Sequence, residues 1–393
     1  MQLIVLVVMF LLLVRFTDRL YDRVWDRQLS ADLRFLDRSV TEGGHVLLEE
    51  TVENRKLLPL PTLTVYFRMD RSLLFVEKQN TALTDYQYRA DIPIVMGRQR
   101  IVRRYRVHAV KRGFYVIDKI SLSSCTPFFS HRTNGDGEVY TSLYVYPGRS
   151  KIPGLDEIFR HLYGEYLVRR FSQEDPFAFR GIRDYAPSDP MRHINWKATA
   201  RSAALKVNQY YPTCSADAAI FLNTDRRGVN YSDEVLEESV RIARTFLESF
   251  ISAGVPVRII SNGRDLVDGS EIRMAPGSGS GHPDSCLQKF ARMDLSREVR
   301  PMEELVEGEA RASAPESRPV SVLITASLTP HLLGAYRNYT GSSGGGCVLV
   351  PLRESQRRYF EDSALQSDLA GMKRAGIPVR YLVLENNAYE QYA

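Results

Sequence analysis

The chain opens on an uncharged run at residues 2–14, QLIVLVVMFLLLV, followed by RFTDRLYDRVWDRQ at 15–28. As a helix, the run is about 20 Å long, short of a hydrocarbon core of about 30 Å. In the next stretch Arg15, Arg19 and Arg23 each stand three residues before Asp18, Asp22 and Asp26, the spacing of surface ion pairs on a helix. Leu20, Tyr21, Val24 and Trp25 fill another face of that helix. The pattern predicts a membrane anchor over 1–28 with an amphipathic juxtamembrane helix whose Tyr and Trp suit the interface. A buried core helix is the competing reading. A signal peptide is disfavoured because no basic region precedes the run and no small-residue cleavage site follows it. Arginine on one flank only places that flank in the cytosol, giving a single-pass cell-membrane protein with cytoplasmic C-terminal domains.

From 29 to 147 short alternating runs are separated by turns. RIVRRYRV at 100–107 alternates, Arg112-Gly113-Phe114 reads as a turn into a strand, and Pro59 and Pro61 exclude a central helix. This predicts an all-β, immunoglobulin-like antiparallel sandwich. From 213 to 393 the period changes. AAIFLN at 218–223 reads as a buried strand, and residues 233–252 put Leu236, Val240, Ala243, Leu247 and Phe250 on one helical face. Further strands are predicted at 256–260, 320–325, 347–352 and 378–384, with helices at 332–339 and 364–375. Strands alternating with helices imply a doubly wound α/β domain with a parallel sheet.

Between these lies a central segment, 148–212, containing FRGIRDYAPSDPMRHINWKATARSAALKVNQYY at 179–211. Asp189 before Pro190 reads as a helix cap with its N1 proline, opening a helix through Ile194, Ala198 and Arg201. The cations Arg180, Arg183, Arg192, Lys197, Arg201 and Lys206 outnumber the acids Asp184 and Asp189. Four readings stay open for the segment. One is a structural latch, with Arg–Asp hydrogen bonds and Trp196 packing the two domains together. One is a docking surface for a protein, since Arg and Trp are favoured anchors. The others are contact with nucleic acid or anionic lipid, and catalysis with His193 as the base, for which a lone His is a weak signal.

Composition narrows the field modestly. The 393 residues suffice for two domains, and a net charge of +5 does not point to nucleic acid. Cys125, Cys214, Cys286 and Cys347 are far apart, which argues against zinc and against a disulfide framework and fits a reducing compartment.

The residues Arg183, Tyr185, Asp189, Arg192, Ile194, Asn195, Trp196, Ala200, Arg201, Leu205 and Val207 reproduce a pattern of Arg-x-Tyr, an Asp-containing turn, Arg-x-Ile-(Asp/Asn)-Trp, Ala-Arg and Leu-x-Val. In this the chain resembles the bacterial family termed "domain of unknown function 58". ENRKLLPLP, RRYRVHAVKRGFYV and CTPFF extend the resemblance over nearly the whole chain. It departs at Ser188, where the family usually has Gly, and at Asn195, where Asp is common. The resemblance implies that 213–393 is a von Willebrand factor A-like domain. Such domains often hold Mg²⁺ on an Asp-x-Ser-x-Ser strand end, but here that position reads Asn223-Thr224-Asp225-Arg226-Arg227. Arg227 would repel a cation, so no metal or other cofactor is expected, with Asn223, Thr224 and Asp225 the best ligands otherwise.

No phosphate-binding loop is expected either. The glycines at 341–346 lie between a helix and a strand, and GSGSG at 277–281 is not a nucleophile elbow. The resemblance also implies partners: a MoxR-type AAA+ ATPase, and in some members a transglutaminase-like membrane protein. The sequence thus predicts a membrane-anchored, cytosol-facing, non-enzymatic scaffold or adaptor binding protein through Arg180, Arg183, Tyr185, Asp189, Arg192, Asn195, Trp196 and Arg201. A hydrolase with an unrecognised site, and a binder of anionic lipid or nucleic acid, are the alternatives.

Overall fold

The computed structural model describes residues 2–76, 81–84, 87–92, 94–172, 174–187, 189–202, 204–212, 217–227, 232–313, 318–341, 345–356 and 363–384. It is a mixed α/β protein whose chain forms two compact units. One is Met1–Gly148 with Phe290–Arg292; the other is Arg149–Lys289 with Met293–Ala393.

In the first unit, a four-stranded and a six-stranded sheet share one apolar core. The strands His45–Asn54 and Gln99–Ala109 pair antiparallel over ten residue pairs, from His45–His108 to Asn54–Gln99. Alternate positions of His45–Asn54 are buried, the period that puts every second side chain on the core face. Leu48 and Val52 from that strand meet Val65 and Phe67 of Leu63–Arg68, and Leu143 and Val145 of Arg132–Tyr146, in this core.

The N-terminal expectation fails in this unit. A single helix runs Gln2–Val24, and none among the described residues is long and apolar enough to cross a membrane. The physical reason is where its second half goes. Tyr21 and Trp25, read as interface residues, are 2% and 4% exposed and belong to the β-sheet core. The Tyr21 hydroxyl lies 2.8 Å from the Ser124 hydroxyl, which donates to the Thr62 carbonyl. Ser130 donates to Asp18, and Asp22 pairs with His131 at 2.9 Å. Lys56 donates to the Trp25 carbonyl. Those turns are spent on packing and cannot lengthen the apolar run, in which Leu3–Leu13 remains exposed. The single-pass membrane assignment and the cytoplasmic orientation derived from it therefore fall.

The second unit is built on a seven-stranded sheet. Its spatial order is Glu271–Gly277, Val257–Asp265, Ala218–Asn223, Val320–Thr325, Gly346–Arg353 and Val379–Leu384, with Met293–Asp294 also pairing Val257–Asp265. The pairings from Val257–Asp265 through Val379–Leu384 are parallel. Glu271–Gly277 and Met293–Asp294 add antiparallel pairings at one edge. Every residue of Ala218–Asn223 and of Val320–Thr325 is buried, as in a strand covered on both faces. The helix Asp233–Ser252 begins at Ser232, whose side chain accepts from the Val235 amide, and buries Leu236, Val240, Ala243, Leu247 and Phe250. The helix Pro330–Thr340 starts in the same way on Thr329. Ala218–Asn223 lies between Val257–Asp265, the next of the parallel strands, and Val320–Thr325, to which the chain later crosses over, so the strand order reverses beside it. Its carboxyl end is the topological switch point of the sheet, where open α/β sheets place ligands.

The central segment adds a two-stranded antiparallel hairpin to this unit, Glu174–Asp184 with Lys206–Pro212. Leu155–Ser172, preceding it, is a helix with Leu155, Leu162 and Tyr166 buried, which the sequence reading did not include.

Candidate functional site

Two places in the second unit gather the chemistry singled out in the sequence. At the switch point, four neutral side chains and one ion pair satisfy one another. Asn223 donates from Nδ2 to Thr325 Oγ1 at 3.0 Å. Its Oδ1 accepts from Asn262 Nδ2 at 2.8 Å and from the Asp225 amide at 3.0 Å. Asn262 Oδ1 accepts from the Thr224 amide and hydroxyl, at 2.8 and 3.1 Å, and Thr325 donates onward to the Ser327 carbonyl. All four of these side chains are buried. Asp225 turns both oxygens to Arg227, at 2.8–3.2 Å.

This donor set does not fit a divalent cation. The one carboxylate is committed to a guanidinium, and the Asn223 and Asn262 carbonyl oxygens already accept two hydrogen bonds each. No group of three or more His, Cys, Asp or Glu among the described residues could hold a metal. Asn262, the hub of the network, was missed in the sequence, although an Asn at the carboxyl end of an apolar strand (VRIISN) was the available signal.

On the hairpin, the loop between the strands folds into a 3₁₀ turn, Met191–His193, and a short helix, Trp196–Ser202. Asp189 does not cap a helix as the sequence suggests. It makes a bidentate pair with Arg183, at 2.6 and 2.5 Å, and accepts from the Ala186 amide at 2.8 Å. The Arg183 guanidinium, seconded by that amide, holds its carboxyl down at about 2. The cap is instead Asn195, whose Oδ1 accepts from the Ala198 amide at 2.9 Å while its Nδ2 donates to Asn208 at 2.7 Å. Ile194 and Val207 bridge and are buried beneath. Thr199 accepts from the Lys206 amide, Lys206 pairs with Asp184 at 2.6 Å, and the half-buried Tyr185 donates its amide to the Leu205 carbonyl.

These bonds bring Arg183, Tyr185, Asp189 and Asn195 together as a frame. They do not enclose the rest: Arg180, Arg192, Trp196 and Arg201 are exposed. Trp196 is 67% exposed, the motif residue Leu205 is exposed too, and Phe179, Ile182 and Met191 are exposed apolar residues of the same segment that sequence reasoning passed over. The Arg–Asp hydrogen bonds expected of the segment are present between Arg183 and Asp189, within the hairpin itself, and Trp196 stays outside them. Ser188 lies outside the described residues.

Nucleophilic chemistry gains no support from the thiols. Cys125, Cys286 and Cys347 form no disulfide, and burial pushes the Cys286 thiol up to about 12 and raises that of Cys347 as well. Cys214 lies outside the described residues.

No family model matches the chain, and no curated protein matches it. Among solved structures it is similar to a non-cellulosomal cohesin from the hyperthermophilic archaeon Archaeoglobus fulgidus, at 9% identity and a TM-score of 0.22, covering 34% of this chain and 97% of that one. It is also similar to a type I cohesin–dockerin complex from Clostridium thermocellum, at 7% identity and a TM-score of 0.21, covering 30% and 99%. A third likeness is to the full-length major pilin SpaD from Corynebacterium diphtheriae, at 10% identity and a TM-score of 0.24, covering 32% and 39%. None of these likenesses assigns a family or an activity.

Proposed function

We propose that this chain is a protein-binding scaffold or adaptor, not an enzyme, and that it works with a MoxR-type AAA+ ATPase. One observation carries the binding half of the reading. A large exposed indole, Trp196, stands on a hairpin where Asp184, Asp189 and Asn195 are already pinned by internal bonds. Burying a rigid aromatic on a preorganised frame is a favourable way to anchor a partner. The ATPase is named by the resemblance of the central motif to the family described above.

The test is retention of a purified MoxR-type ATPase by the immobilised full chain, with and without ATP, beside an Arg192→Ala/Trp196→Ala variant of unchanged circular dichroism. Retention by the wild type and loss by the variant is the expected result. Equal retention by both removes the hairpin from the contact. No retention with any nucleotide overturns the ATPase as partner.

A further inference from the structure

The chemistry of the hairpin surface narrows the kind of partner it accepts, on the premise that the chain is an adaptor. Residues Trp196, Lys197, Ala200 and Arg201 are all exposed and recur at i, i+1, i+4 and i+5, so they share one face of the helix Trp196–Ser202. Trp196 and Ala200 form one row, in which the methyl side chain leaves space beside the indole. Lys197 and Arg201 form the adjacent row, a like-charge pair at i,i+4, which is mutually repulsive. Among the described side chains of the hairpin, the acids are committed elsewhere. Asp184 is taken by Lys206 and Asp189 by Arg183, and neither Lys197 nor Arg201 makes an ion pair among the described residues. Arg192, in the adjoining turn, is exposed and makes no ion pair among the described residues.

We propose that this face docks an acidic segment of a partner protein that carries an apolar or aromatic anchor. The anchor lies against Trp196 over Ala200, and carboxylates flanking it meet Lys197 and Arg201. A short helix with one exposed indole beside two cations suits such a segment better than a polyphosphate. Nucleic acid is held by an extended basic surface making many phosphate contacts, and the whole chain carries a net charge of only +5.

The chain reports on this site by itself. It has two tryptophans, of which Trp25 is 4% exposed, so emission quenched by acrylamide comes from Trp196. The probe is a short labelled peptide of alternating Glu and Phe. Its controls are the same peptide with Lys in place of Glu, and a single-stranded oligonucleotide of equal length. The Glu/Phe peptide should bind the full chain with an affinity that falls as salt rises, and should shield Trp196 from acrylamide. Lys197→Glu/Arg201→Glu should weaken it roughly tenfold or more and should gain affinity for the Lys/Phe peptide. That gain keeps the test meaningful whatever the variant does to local order. Trp196→Ala should lose binding and Trp196→Phe should retain it.

Equal binding of the two peptides, absence of Trp196 shielding, or tighter binding of the oligonucleotide overturns the proposal. Retention of the ATPase with no peptide binding overturns the acidic-segment chemistry alone. Peptide binding without the ATPase supports the surface and removes only the named partner.

Discussion

The switch point of the parallel sheet and the central hairpin are built from similar residues and reach opposite ends. Both set Asp beside Arg on a framework of short polar side chains. At the switch point Asn223, Thr224, Asn262 and Thr325 exchange hydrogen bonds in a buried cluster, and Asp225 closes on Arg227. On the hairpin the same device, Asp189 on Arg183 and Asn195 on Asn208, is used only in the frame. It leaves Trp196, Lys197 and Arg201 facing outward. A position favoured by fold for ligands can thus be closed by its own side chains, while binding potential moves to a surface the sheet topology does not single out. What decides is whether the polar groups have partners within the chain.

That contrast can be broken most sharply at Asn262. Asn262→Ala strands the Thr224 amide and hydroxyl in a buried site. At about 1–3 kcal/mol for each buried unsatisfied group, a loss of about 3 kcal/mol is expected, read as a lower urea midpoint at unchanged m-value. A smaller, local effect is expected on acidification. The Asp189 carboxyl sits at about 2 against an ordinary 3.8, so its contribution is present above the ordinary value and disappears as the pH falls toward 2. Trp196 emission should change between about pH 4 and pH 2, and Asp189→Asn should abolish that transition.

Smaller still, Trp196→Ala should shift stability by no more than about 0.5 kcal/mol, as for a surface residue, while removing nearly all acrylamide-quenchable emission. A loss of several kcal/mol would mean that the indole is structural. The smallest effect is expected from Mg²⁺, which should leave the thermal midpoint unchanged. A site occupied at a hundred times its Kd would add about 2.7 kcal/mol, so a rise of several degrees would show the switch point to be open after all.

The helix Asp233–Ser252 was legible because its apolar residues keep a helical period beside a Ser cap, and Ala218–Asn223 because it is an apolar run of strand length. The edge strand Glu271–Gly277 was not, since EIRMAPG carries little alternation and its pairing partner is the neighbouring strand. Leu155–Ser172 was hidden because its apolar residues do not keep to one stripe. For the candidate site, the motif residues were legible as a group and their division of labour was not. Asp189 and Asn195 both have side chains able to cap a helix, and only the approach of Arg183 decides which of them does.

The sequence by itself determined the switch from period-two to helical patterning along the chain, the excess of cations in the central motif and the absence of a metal-binding signature at residues 223–227. These are properties of residue type and spacing, which need no knowledge of neighbours. Tertiary structure alone decided that Tyr21 and Trp25 belong to a β-sheet core, that Asn262 ties off the switch point, and that Trp196 is left outside. An amphipathic face carries no label for what it packs against: the same aromatic side chains suit an interface or a core. Which one they take depends on the free energy of contacts between residues as far apart as Tyr21 and Ser124.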